Sequence, residues 1–322
     1  MEEQNILASD IQNTRKKQYD ASCKALLAEK AILARLLKSC IPDFKDCSIE
    51  DIEKKYIEGD PKISTVGVNP NETNTPLITG RANEDNSLNE GKVTYDIIFD
   101  ALAPKDGELI RIIVNVEAQR DANPGYPLLM RALYYCSRMI SAQYGREFTN
   151  SEYQKIKKVC SIWICTDVPA YKQNTVNMYS IDEKHLFGDF KEDSCHYDLI
   201  TAVIINMVKD VKGLDDNIIK LLSVLLSDSL TAEERMDILS TQFSIEMTDK
   251  IESEVATMCN LSQGIEDRGI QKGIEKGRIE GKIEGKIESA TALMKFQNLT
   301  KEQALKAIGI SDQELPSYLA LL

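Results

Sequence analysis

Two histidines, one tryptophan and no Cys-x-x-Cys pair in 322 residues remove several chemistries at once. His185 and His196 have no partner at ligand spacing, so neither histidine catalysis nor a histidine-containing zinc centre is expected. The eight cysteines, at 23, 40, 47, 136, 160, 165, 195 and 259, are scattered. That pattern predicts free thiols in a reducing cytoplasm rather than a disulfide framework. No run of about 18 uncharged apolar residues occurs, which argues against a membrane span. The first residues, MEEQNILASD, hold no apolar stretch, so no secretory signal is expected. A basic excess is missing too: 39 Lys and Arg against 51 Asp and Glu leave a net charge of −12. A polyanion would therefore have to be met through a local patch or a metal. What remains, 43% apolar and 28% charged, is an ordinary globular composition with enough chain for a large core.

The chain begins with leucines 26, 27, 33, 36 and 37 at helical spacing, which predicts a helix over 16–40 ended by Pro42. Ser48 reads as the cap of a second short helix. Residues 59–91 are rich in Asn, Pro and Gly and predict a long, partly ordered loop or a short irregular strand set. Two β-branched runs, 92–102 and 108–119, flank Asp106-Gly107 and predict a hairpin. Pro127 opens a helix to about Tyr144, followed by a buried strand over 158–167 and a further strand over 175–181. The run 198–208 is ambiguous between strand and helix. These segments, 1–212, read as one α/β domain. A helical region follows over 213–262, with Thr231 and Glu234 as a capping box. Residues 263–322 carry glycines at 269, 273, 277, 281 and 285 and then two short capped helices. Five glycines cost a lone helix about 5 kcal/mol. Close packing on a second copy would offset that cost, so 263–288 is expected to form a homodimer contact.

The hairpin places chemistry. If Asp106-Gly107 is a two-residue turn, Lys105 faces Glu108, Asp96 faces Glu117 and Thr94 faces Gln119. Alternation then puts Glu117 and Gln119 on one side of the strand, with Ile112, Val114, Val116 and Ala118 on the other. Opposed carboxylates need a counter-charge, and a divalent cation with oxygen ligands supplies one. The plain alternative is a solvated strand face whose acids do nothing.

The series Asp96…Glu117-Ala-Gln119 resembles the D…(D/E)xK core of PD-(D/E)XK nucleases, closest to the transposase-like, recombination-promoting branch with E-x-Q. Gly91-Lys92, the run Asn115–Gln119, the helix Pro127–Tyr135, the strand around Ile162-Trp163-Ile164 and the glycine/glutamate repeat extend the likeness over about residues 15–290. The resemblance implies a restriction-endonuclease-like α/β core: a mixed sheet of about four strands flanked by helices, here with a helical C-terminal extension. It implies a Mg2+-dependent DNA endonuclease, with Mn2+ as a substitute metal. Asp96 and Glu117 would be the catalytic metal ligands, Glu29 a further ligand, and Gln119 the residue orienting water. Arg131 and Tyr135, one helical turn apart, would contact DNA, with Arg120 and Lys92 nearby. Glutamine cannot lend the charge of the usual lysine. That departure keeps a second expectation open, a weak or inactive DNA-binding or scaffolding protein. Charge distribution fits DNA contact: 111–160 holds eight basic and four acidic residues, whereas 46–110 holds six and fourteen.

Overall fold

A computed structural model describes residues 2–63, 84–87, 90–105, 108–208, 213–215, 217–227 and 230–322. For 2–13, 15, 84–87, 90–94, 120–121, 262–276 and 279 it describes the backbone alone. The chain divides into two compact units, Met1–Ser262 and Gln263–Leu322.

The first unit is α/β, with a six-stranded mixed sheet flanked by helices. Its strands are β1 (Ile57–Ile63), β4 (Ile97–Lys105), β5 (Glu108–Asp121), β6 (Lys158–Asp167), β7 (Thr175–Ser180) and β8 (Ile200–Asn206), and the sheet order is β1-β4-β5-β6-β8-β7. β5, β6 and β8 run parallel, while β1, β4 and β7 pair antiparallel with their neighbours. β2 (Glu84–Ser87) and β3 (Glu90–Thr94) form a separate two-stranded ladder.

Three of the central strands are Val/Ile-rich because both sheet faces are covered. On one face, α1 (Glu2–Leu27), α2 (Lys30–Cys40), α5 (Ile218–Leu225), α6 (Ala232–Thr241) and the start of α7 (Asp249–Gln297) share one core with the sheet. Leu26, Leu33 and Leu37 meet Ile112, Val114 and Val116 there. On the other face, α4 (Leu128–Ser141) lays Ala132, Tyr135, Cys136 and Met139 over Ile113, Val159, Trp163 and Ala202.

Several local signals act as the sequence predicts. Ser48 accepts from the Asp51 amide, and Thr231/Glu234 and Thr300/Gln303 are reciprocal capping boxes. The hairpin register is the expected one, from Lys105↔Glu108 to Ile97↔Val116, although Asp106-Gly107 lie outside the described residues. All eight cysteines are free thiols. Among the described residues no helix is long and apolar enough to cross a membrane.

Other expectations need correcting. The helix over 16–40 is two helices, because Glu29 turns to an extended backbone (ψ 130) and its carboxylate pairs with Lys250 at 2.5 Å. The sheet has six strands rather than about four: the ambiguous 198–208 contributes β8, and β1 enters the stretch 59–91, where a short irregular strand set is one of the two expectations and 64–83 and 88–89 lie outside the described residues. Thr94 does not face Gln119, since the chain bends at Tyr95-Asp96 and Thr94 belongs to the β2·β3 ladder.

In the second unit α7 continues through the glycines to Gln297. Ala290 packs with Ala304 and Leu305 of α8 (Lys301–Ala307), and with Ile310 and Leu315 at the start of α9 (Leu315–Leu319). Pro316 stands in the first turn of α9, where a missing amide hydrogen costs nothing.

Candidate functional site

Asp96 occupies the bend before β4, directly ahead of the pair Ile97↔Val116. Its amide donates to Glu117 Oε1 at 3.1 Å, and its Oδ2 accepts from the Ala118 amide at 3.1 Å. The two acids are thereby knotted where β4 meets β5. Glu117 is 5% exposed, because α4 covers the side of β5 that a sequence reads as solvated. An accidental acidic pair on a wet face is therefore not the arrangement found.

A cation that sequence analysis missed completes the pair. Lys24, on α1, lies 2.8 Å from Asp96 Oδ1 and 2.7 Å from Asp20 Oδ2, with only 5% of its side chain exposed. Burial pulls the Lys24 ammonium towards neutrality, but Asp96 and Asp20 more than offset this and hold it above the usual lysine range. From α4, Arg131 donates to the Tyr126 hydroxyl at 3.0 Å and to the Tyr135 hydroxyl at 2.9 Å. Its guanidinium lies 5.2 Å from the ring centres of both Tyr135 and Trp163, and its charge acts on Glu117. Tyr135 packs edge-on to Tyr95 and Trp163, with centroids 5.6 and 5.2 Å away. Burial first, and Glu117 second, push its hydroxyl up to about 12.

Both acids are raised. Burial lifts Asp96, with Lys24 opposing, and burial followed by the Asp96 charge lifts Glu117 well above the carboxylate range. The folded chain thus holds the Glu117 proton to higher pH than the unfolded chain does. The associated stability is complete below the unfolded pKa and is lost as pH rises through the folded one. Melting of the metal-free protein between about pH 5 and about pH 8 should show wild type losing more stability than Glu117→Gln. Added Mg2+ should recover the loss most strongly at the alkaline end. A pH-independent gap between the two proteins would mean that Glu117 is ionised throughout.

The donor set fits a small hard cation in part. Two buried carboxylates are the ligand type that Mg2+ takes alongside water and phosphate oxygens, and a cation would relieve their mutual repulsion. Against this, Lys24 and the Ala118 amide already engage both oxygens of Asp96. Among the described residues no cluster of three His, Cys, Asp or Glu side chains stands ready for a metal.

The remaining expected residues are placed as follows. Gln119 is half-buried on the Glu117 side of β5, opposite Cys165 of β6. The side chains of Arg120 and Lys92 lie outside the described residues. Glu29 lines a different cleft of 1140 Å3, with Arg35, Lys38, Phe243 and Lys250, which none of Asp96, Glu117 and Gln119 borders. The spacing Asp20…Lys24 is visible in the sequence as a helical i,i+4 ion pair. Nothing local in the sequence aims it at Asp96. No protein-family model, curated protein or solved structure matches the chain.

Proposed function

We propose that the chain is a Mg2+-dependent DNA endonuclease of the transposase-like PD-(D/E)XK kind, built on a restriction-endonuclease-like core. The observation that supports it most is the buried, opposed pair Asp96–Glu117, with Lys24 touching Asp96 and the Arg131 charge acting on Glu117. A surface acid pair would need no such surroundings. Asp96 and Glu117 would hold the metal, which when bound stabilises charge on the scissile phosphate and activates a water. Lys24 supplies the positive charge that Gln119 lacks, brought from a helix rather than from the strand. Gln119 orients the attacking water by hydrogen bonding. Arg131, set against the rings of Tyr135 and Trp163, holds a fixed cation beside the acids, where a phosphate oxygen can meet it.

Supercoiled plasmid incubated with the full-length protein tests the proposal. Nicking that needs Mg2+ or Mn2+ and disappears with chelator supports it, and intact plasmid under all metals defeats it. Gln119→Ala should slow nicking by about 100-fold, the scale of one lost hydrogen-bond donor at a developing charge. Gln119→Lys should keep or raise the rate, because lysine adds charge where glutamine offers only a dipole. Unchanged nicking by Gln119→Ala would remove this residue from the site.

A second reading, a DNA-binding protein that no longer cuts, draws on the engagement of both Asp96 oxygens without metal. It requires plasmid retardation, weakened by salt, with no nicking.

A further inference from the structure

The two edges of the six-stranded sheet are built in opposite ways. β1, at one edge, carries Glu58, Asp60, Pro61 and Lys62, a glycine with φ of +60° at Gly59, and a ladder irregularity between Glu58 and Lys62. Charge, proline and broken register are the devices by which a sheet edge refuses another strand. β7, at the other edge, reads Thr-Val-Asn-Met-Tyr-Ser and has none of them. It pairs with β8 without interruption from Thr175↔Asn206 to Ser180↔Thr201, and among the described residues nothing pairs with its outer side.

This edge is also greasy. Val176, Met178, Tyr179 and Ile181 are exposed, and the segment after the strand presents Leu186 at 96%, Phe187 at 103% and Phe190 at 77% exposure. The two phenylalanine rings alone amount to about 400 Å2 of apolar area. That is roughly half of the 800 Å2 that each side of a stable protein interface buries. The strand, Leu186 and Ile181 add to it. A lone soluble chain rarely leaves so large an apolar patch in water.

We infer that the free edge of β7 is the docking site for a second copy of this chain, strand against strand about a two-fold axis. Charge selects that occupant and that direction. Lys172 precedes the strand, whereas residues 182–193 after it hold five acids, Asp182, Glu183, Asp189, Glu192 and Asp193, against Lys184 and Lys191, an acidic excess of three. Antiparallel pairing brings the basic start of each strand to the acidic finish of the other. With Asn177 on the axis, Val176 meets the partner's Met178 and Thr175 meets the partner's Tyr179, and Lys172, in the turn just before the strand, comes to the end that the partner's Asp182 follows. The two acidic segments then lie a strand length apart, about 17–20 Å. Screening over about 8 Å makes their repulsion small. Parallel pairing would stack acid on acid, and the acidic rim repels nucleic acid, so neither suits this surface.

The inference is independent of the acid pair and differs from the dimer expected through the glycines of α7. A Cβ at Gly277, Gly281 or Gly285 would meet nothing within 4 Å, so larger residues fit there unless a second helix packs close.

Analytical ultracentrifugation of the full-length protein decides between the surfaces. Wild type should sediment as a dimer at micromolar concentration. Met178→Lys, which adds the charge that protects sheet edges, should weaken dimerisation at least tenfold, whereas Gly277→Gln/Gly281→Gln/Gly285→Gln should leave it unchanged. Lys172→Asp and Asp182→Lys should each weaken association, and the double exchange should restore it, a rescue that a damaged fold cannot give. A monomeric wild type would overturn the inference and leave the edge to an extended segment of another protein. So would dimers that survive Met178→Lys but are lost with the three glycine substitutions, or a charge exchange without rescue.

Discussion

Asp96→Asn and Glu117→Gln should each reduce plasmid nicking by about 1000-fold or more, with the fold retained. Metal coordination contributes several kcal/mol of transition-state stabilisation, and each tenfold in rate is about 1.4 kcal/mol. The amides keep the shapes that pack between β4, β5 and α4 but remove the charges that hold a cation. Their stabilities should diverge in a telling direction. Glu117→Gln relieves a buried acid lifted by burial and by Asp96, so it should melt higher than wild type at neutral pH. Asp96→Asn leaves Lys24 with Asp20 alone, whose side chain is 38% exposed, so it should melt lower. Nicking by either variant at more than a tenth of the wild-type rate would sink the metal-ligand assignment. Circular dichroism on the same samples separates lost chemistry from lost structure.

Lys24→Met should be among the most destabilising single substitutions in the chain, costing about 3–5 kcal/mol, because it leaves a buried carboxylate without its cation. The magnitude rests on the Asp96 contact, where both side chains are largely shielded, at 5% and 16% exposure. The half-wet Asp20 arm adds little. Urea denaturation measures it, and a loss below about 1 kcal/mol would show that water or other groups already compensate Asp96. Function offers a sharper check. If Lys24 replaces the charge that Gln119 cannot supply, Lys24→Met should be poor at nicking and Lys24→Met/Gln119→Lys should recover. Recovery without regained thermal stability would separate the electrostatic role from the structural one.

The hairpin and its register could be read from the sequence because both are local: β-branched runs converge on Asp106-Gly107, and counting outward places Asp96 against Glu117. β6 could be read for a similar reason, a run from Val159 to Cys165 that is apolar but for Ser161 and suits a strand covered on both faces. The capping boxes at Thr231 and Thr300 are contained within four residues each. What escaped was set by distant partners. The burial of Glu117 depends on Ala132, Tyr135 and Cys136 lying over that face of β5. Lys24 was invisible for the same reason. Its i,i+4 partner Asp20 accounts for it fully until α1 is seen against the bend at Asp96. Glycines spaced four apart suggested a contact but not its location, whereas the bare edge of β7 emerges only once the sheet order is known.

The knot at Asp96 also bears on the order in which the molecule assembles. β4 and β5 are neighbours in sequence and can meet early, since only a short loop must close. Their meeting sets two like carboxyls side by side while α1, and with it Lys24, has still to be gathered across a much longer loop. Until that happens the hairpin works against its own charges or holds a proton to avoid doing so. Docking of α1 therefore does more than cover apolar strand. It brings the Lys24 ammonium onto Asp96, so the two events are cooperative, and a chain lacking α1 loses hairpin stability as well as helix.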